Sequence, residues 1–122
     1  MSARTTVITC QKLTNLQVRG YSSEKRIPLP SVFTREFIPA NRLHIPTSDT
    51  ALRWSHLEHL SSKIPSLLDC EVGLLIGYNC QQALLPKEIL PGEENQPYAQ
   101  RTDLGWSIVG CSNPADNYCD AI

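Results

Sequence analysis

Apolar residues along this chain come in short bursts, punctuated by prolines, glycines and polar clusters. "TTVITC" and "LTNLQVRGY" carry β-branched and alternating residues that predict strand, with Leu13, Leu16 and Val18 along one side. Gly20 and "SSEK" follow as a turn. In "RIPLPSVFTREFIP", Pro28, Pro30 and Pro39 remove backbone donors, which predicts an edge strand with extended connections. Residues before proline are also pushed away from helix. "TSDTALRWSHLEHLSSKIP" predicts the main helix: Thr47 or Ser48 caps it, and Asp49 places an anion in its first turn. Trp54, Leu57, Leu60 and Ile64 recur on its apolar side, and Pro65 stops it. The densest apolar run, "EVGLLIGYN", predicts a buried strand ending in a glycine turn. "CQQALLPKEIL" begins with a short helical turn before Pro86, and "PGEENQ" reads as an exposed turn. "YAQRTDLGWSIVG" predicts a closing strand or hairpin, broken at Gly105. The tail from 111 to 122 has no periodicity and reads as a linker or truncated end. Together these elements predict a mainly β, α+β fold with one or two short helices.

Composition narrows the class. A chain of 122 residues suffices for one domain, burying roughly two-thirds of its extended-chain surface. At 41% hydrophobic and 19% charged it is globular material. The net charge of -1 provides no broad field for nucleic acid or acidic lipid, so neither is expected as a partner. No apolar run reaches the ~20 residues that span a bilayer, and "MSARTTVITC" has no signal-like apolar region. An intracellular, cytoplasmic location is the expectation. Nine prolines argue for short elements and many turns. Five cysteines, Cys10, Cys70, Cys80, Cys111 and Cys119, include no C-x-x-C pair, which argues for reduced thiols over a closed zinc site or a disulfide framework.

Candidate chemistry is sparse. His56 and His59 would share one side of a helix, but no third ligand is evident, and no metal or other cofactor is expected. "GWSIVG" is not a nucleophile elbow around Ser107, since its second glycine comes one residue late and no helix pattern follows. No glycine-rich nucleotide-binding loop occurs. Asp49-Thr50-Ala51 approaches the Asp-Thr/Ser-Gly turn of aspartic peptidases, yet Ala51 stands in place of the glycine that such a tight loop needs. Helix capping accounts better for Asp49. Asp69, Glu71, Asp103, Asp116 and Asp120 read as isolated surface carboxylates, and Glu93-Glu94 as a pair on a loop.

The segments "LLIGYNC", "ALLPKEI" and "PYAQRTDLGWSIVG", in that order and spacing, resemble the peptidase region of BEL/Pao-type retrotransposon polyproteins. "IPLPSVFTREFIPANRLHIPT" and "WSHLEHLSSKIP" fit the same region, so the resemblance covers residues 12 to 110. It implies a retropepsin-like aspartic peptidase domain: a small, mostly β barrel whose subunits pair, each giving one aspartate. Leu75, Ile76 and Gly77 would be the apolar-apolar-Gly segment beneath the catalytic loop. The family's Asp-Thr/Ser-Gly loop and its flap lie upstream of the matching segments. No such triplet occurs here, so no catalytic residue carries over. The resemblance implies an incomplete barrel over residues 1–110, the C-terminal part of the domain, with a reverse transcriptase region beyond.

Three functions compete. The first is a fragment of an aspartic endopeptidase that processes a polyprotein, inactive alone. The second is a non-catalytic dimerisation or binding module that pairs with itself or with an intact peptidase domain, because an incomplete sheet leaves open edges. The third is an unrelated enzyme using His56, His59 or a cysteine. Uncovered core faces also predict marginal stability and a tendency to associate.

Overall fold

The computed structural model describes residues 9–38, 45–66 and 72–110. Cys70, Cys111, Cys119, Pro39, the carboxylates Asp69, Glu71, Asp116 and Asp120, most of "TTVITC" and the 111–122 tail lie outside them. Across the described residues the chain is mainly β with two short α-helices, and its sheets are open.

The N-terminal part is one interrupted antiparallel hairpin. Strand β1 (Lys12–Leu13) pairs with β4 (Val32–Phe33), and β2 (Gln17–Val18) pairs with β3 (Ile27–Pro28). The pairs Leu13↔Val32 and Gln17↔Pro28 keep one register, and Leu29 N–H donates to the Leu16 carbonyl at 2.8 Å between them. The ladder breaks where Asn15, at φ 62, lies opposite Pro30. A left-handed residue kinks one arm, and the other lacks a donor at the same point. Each ladder is therefore two residues long per strand.

The sequence predicts one continuous helix over 47–64; the structure divides that segment. Helix α1 covers only Ser48–Leu52, and a 3-10 turn follows at Glu58–Leu60. Thr47 is the N-cap and Asp49 occupies the first turn, as the capping pattern predicts; Thr50 Oγ1 also accepts the Thr47 N–H at 3.0 Å. Beyond α1 the bonds tighten to a three-residue span: Trp54 N–H to the Ala51 carbonyl, Leu57 to Trp54, Leu60 to Leu57. The reason lies in the spacing. Ala51, Trp54, Leu57 and Leu60 are all buried and recur every third residue. Three residues per turn stack such positions on one side, whereas 3.6 would rotate them away.

Helix α2 (Gln81–Leu84) follows the Gly77 turn as expected. Strands β5 (Glu88–Leu90), β6 (Tyr98–Thr102) and β7 (Gly105–Val109) then form an antiparallel meander in that order. The β6–β7 hairpin turns through Asp103 and Leu104, and Gly105 at φ 124 adopts a backbone that side chains rarely permit.

Two apolar clusters result. In the first, Ala51, Trp54, Leu57, Leu60 and Ile64 pack on Ala99 and Ile108, which face each other across β6 and β7. Leu90 and Trp106 flank them. Full burial of Leu57 and Leu60 contributes about 1.5–3 kcal/mol each. The second cluster is smaller: Ile27, Cys80 and Ala83, edged by Val18, Leu29, Ile76 and Leu104. Gly20 joins it to the hairpin, because a Cβ there would stand 2.7 Å from the Leu104 carbonyl oxygen.

The apolar run 72–77 is not the buried strand that its composition predicts. It forms no strand; Leu74 and Leu75 are 37% and 60% exposed, and only Val72 and Ile76 are half-buried. Among the described residues no strand pairs with it, and only Ile76 packs against an apolar cluster. Among the described residues no helix is long and apolar enough to cross a membrane.

Candidate functional site

Among the described residues a concavity lies between the N-terminal hairpin and segment 72–77, with a volume of about 580 Å³. The kink at Asn15 separates Leu13 from Val18, so the hairpin's apolar side splits. Val18 turns to the second cluster, while Leu13 and Leu16, near 40% exposed, line the groove with Leu29, Val32 and Phe33. Gly73 to Gly77, with Asn79 and Cys80 after them, line the groove opposite the hairpin. Arg35 is the one charged side chain among the described residues that line it.

Leu75, Ile76 and Gly77 occupy different environments in this wall. Leu75 is exposed, Ile76 packs against the second cluster, and the Gly77 carbonyl accepts the Cys80 N–H at 3.0 Å to start the turn into α2. Cys80 is a buried free thiol with Sγ 4.0 Å from the Pro28 carbonyl oxygen; Cys10 is free and exposed.

The other candidates do not converge here. His56 and His59 separate: His59 is exposed, and His56 is half-buried with Nε2 2.8 Å from the Pro97 carbonyl oxygen. A carbonyl only accepts, so Nε2 carries the proton. Trp54 meets the His56 ring edge-on at 5.9 Å. No group of three metal-ligating side chains forms among the described residues. Asp49 is exposed on the first turn of α1, Ser107 is exposed in mid-strand on β7, and Glu93 and Glu94 are exposed around a turn in which Gln96 N–H reaches the Glu93 carbonyl at 2.9 Å.

Asp103 corrects the sequence reading. It is not an isolated surface charge: its side chain is 9% exposed, and Lys25 Nζ lies 2.9 Å from Oδ2, an oxygen with no other partner among the described residues. The hydrogen bond and charge of Lys25 hold the Asp103 carboxyl below the usual Asp value; desolvation opposes this, and Lys87 and Arg101 assist. The pairing joins residues far apart in sequence, so no local pattern signals it. The same holds for His56 with Pro97, and for the groove wall contributed by Leu29 to Phe33.

No protein-family model, curated protein or solved structure matches the chain.

Proposed function

We propose that this chain is the C-terminal part of a retropepsin-like aspartic endopeptidase domain from a BEL/Pao-type retroelement polyprotein, without activity of its own. The observation that carries the reading is the ordered series "LLIGYNC", "ALLPKEI" and "PYAQRTDLGWSIVG". The run of apolar residues into Gly77, followed at once by a turn and α2, supports it. The chemistry requires two carboxylates sharing a proton at the tips of tight turns. The 122 residues contain no Asp-Thr-Gly or Asp-Ser-Gly, and Asp49 instead occupies a helical first turn. The test begins with the genomic sequence immediately upstream of Met1. An in-frame apolar strand followed by Asp-Thr/Ser-Gly is expected. The protein extended to include it is expected to cleave peptides at mildly acid pH, and changing that aspartate to Asn abolishes the cleavage. Cleavage by the 122-residue chain itself, lost in Asp49→Asn, would overturn the reading.

A second reading, a non-catalytic module that pairs with an intact peptidase domain, draws on the open two-residue ladders and the uncovered groove. It predicts co-purification of the two proteins; separate elution from such a mixture counts against it.

A further inference from the structure

Segment 72–76 offers more than an apolar surface. Among the described residues its backbone N–H and C=O groups make no hydrogen bond to other backbone. It therefore combines an unpaired main-chain edge with exposed Leu74 and Leu75, facing Leu13, Leu16 and Phe33 across the groove. Main-chain bonds along one side and side-chain pockets along the other are the two requirements for adding a strand. The groove's volume, about 580 Å³, is ligand-sized.

We propose that this groove takes one extended apolar strand from another polypeptide, carrying an Asp or Glu side chain opposite Arg35. Shape argues for a single strand over a symmetric pairing of two copies. A two-fold contact requires a self-complementary patch, and a concave groove set against its own copy leaves a void. Charge argues for the acidic residue. Among the described residues Arg35 is the only charged one lining the groove, and it forms no ion pair with any of them. The carboxylate comes from a side chain and not from a chain terminus. Capture of a terminus uses a nest of successive N–H groups with a left-handed residue, and none of the positive-φ residues lines the groove. The site needs neither the family resemblance nor a catalytic group, so it stands or falls separately from the peptidase reading.

The test uses the full chain, immobilised, and a pool of acetylated and amidated random hexapeptides. Enrichment of peptides with aliphatic residues at alternate positions and one acidic residue is expected. A fluorescein-labelled member of that set should bind at least about tenfold more tightly than its Lys-for-Glu counterpart, and Arg35→Glu should reverse the preference. N-methylation of alternate peptide nitrogens should abolish binding at the bonded positions while the protein stays unaltered. Circular dichroism of Arg35→Glu separates a lost site from a lost fold, and the N-methyl series needs no variant at all. No enrichment, an acid preference unmoved by Arg35→Glu, or indifference to N-methylation overturns the proposal. So does self-association in sedimentation that Leu75→Glu abolishes, which would make a second copy the occupant.

Discussion

The two apolar clusters contain similar side chains and differ in what covers them. In the first, a segment with three-residue periodicity lies over the open face of a three-stranded sheet, so both layers present apolar residues to each other. In the second, Ile27, Cys80 and Ala83 are enclosed, but the surrounding Leu13, Leu16, Leu74 and Leu75 face an open groove. Apolar content is therefore a poor guide to burial. A second layer at the right distance and register decides it. "VGLLI" is the most apolar run in the chain, yet among the described residues only its Ile76 packs against a cluster while Leu74 and Leu75 stay exposed.

Truncating the first cluster should hurt most. Leu57→Ala removes a side chain that is 0% exposed and should cost about 3 kcal/mol, read as a fall in the urea midpoint at constant slope. An unchanged midpoint would place the stabilising core elsewhere. Gly20→Ala attacks the junction of the two regions. Its Cβ meets the Leu104 carbonyl, a backbone group that cannot rotate away, so a loss of about 2 kcal/mol is expected. Hydrogen exchange should quicken at Val18 and Leu29 while Ala99 and Ile108 keep their protection. Equal loss in both regions would mean that they unfold as one unit.

The Lys25–Asp103 pair adds a pH-dependent link at the same junction. The Asp103 carboxyl is depressed in the folded state, so its contribution is complete above the unfolded Asp value, near pH 4. It disappears as pH falls through the folded value. Lys25→Met should flatten the acid limb of the stability curve below about pH 4 and leave its shape at pH 6–8 unaltered. A change in that shape only at high pH would contradict the assignment. The smallest effect belongs to Leu75→Ala, at 60% exposure, with a shift within about 0.5 kcal/mol. A large loss there would show that the run is covered in solution.

The legible parts of the fold rest on local chemistry. The β6–β7 hairpin is written around Gly105, the start of α1 in Thr47 and Asp49, and the start of α2 in the turn after Gly77. The apolar set Trp54, Leu57, Leu60 and Ile64 was legible as a buried side, although its period of three belonged to tight turns and not to an α-helix. The exposure of Leu75, the Lys25–Asp103 pair and the groove depend on which distant segments meet. One-dimensional pattern carries no such information. For the same reason, Leu75, Ile76 and Gly77 could be named as a segment from sequence, while their separate environments could not.

The contact between Gly20 and the Leu104 carbonyl sets an order in time. Every enclosing partner of Ile27 apart from Val18 and Leu29 comes from Ile76 or later. The N-terminal hairpin emerges before segment 72–110 during synthesis, with only two short ladders to hold it. Its core cannot close until Leu104 has left the ribosome, and the intervening chain makes that closure entropically slow. Residues 9–38 should thus gain protease resistance no earlier than residues 72–110, although they are translated before them.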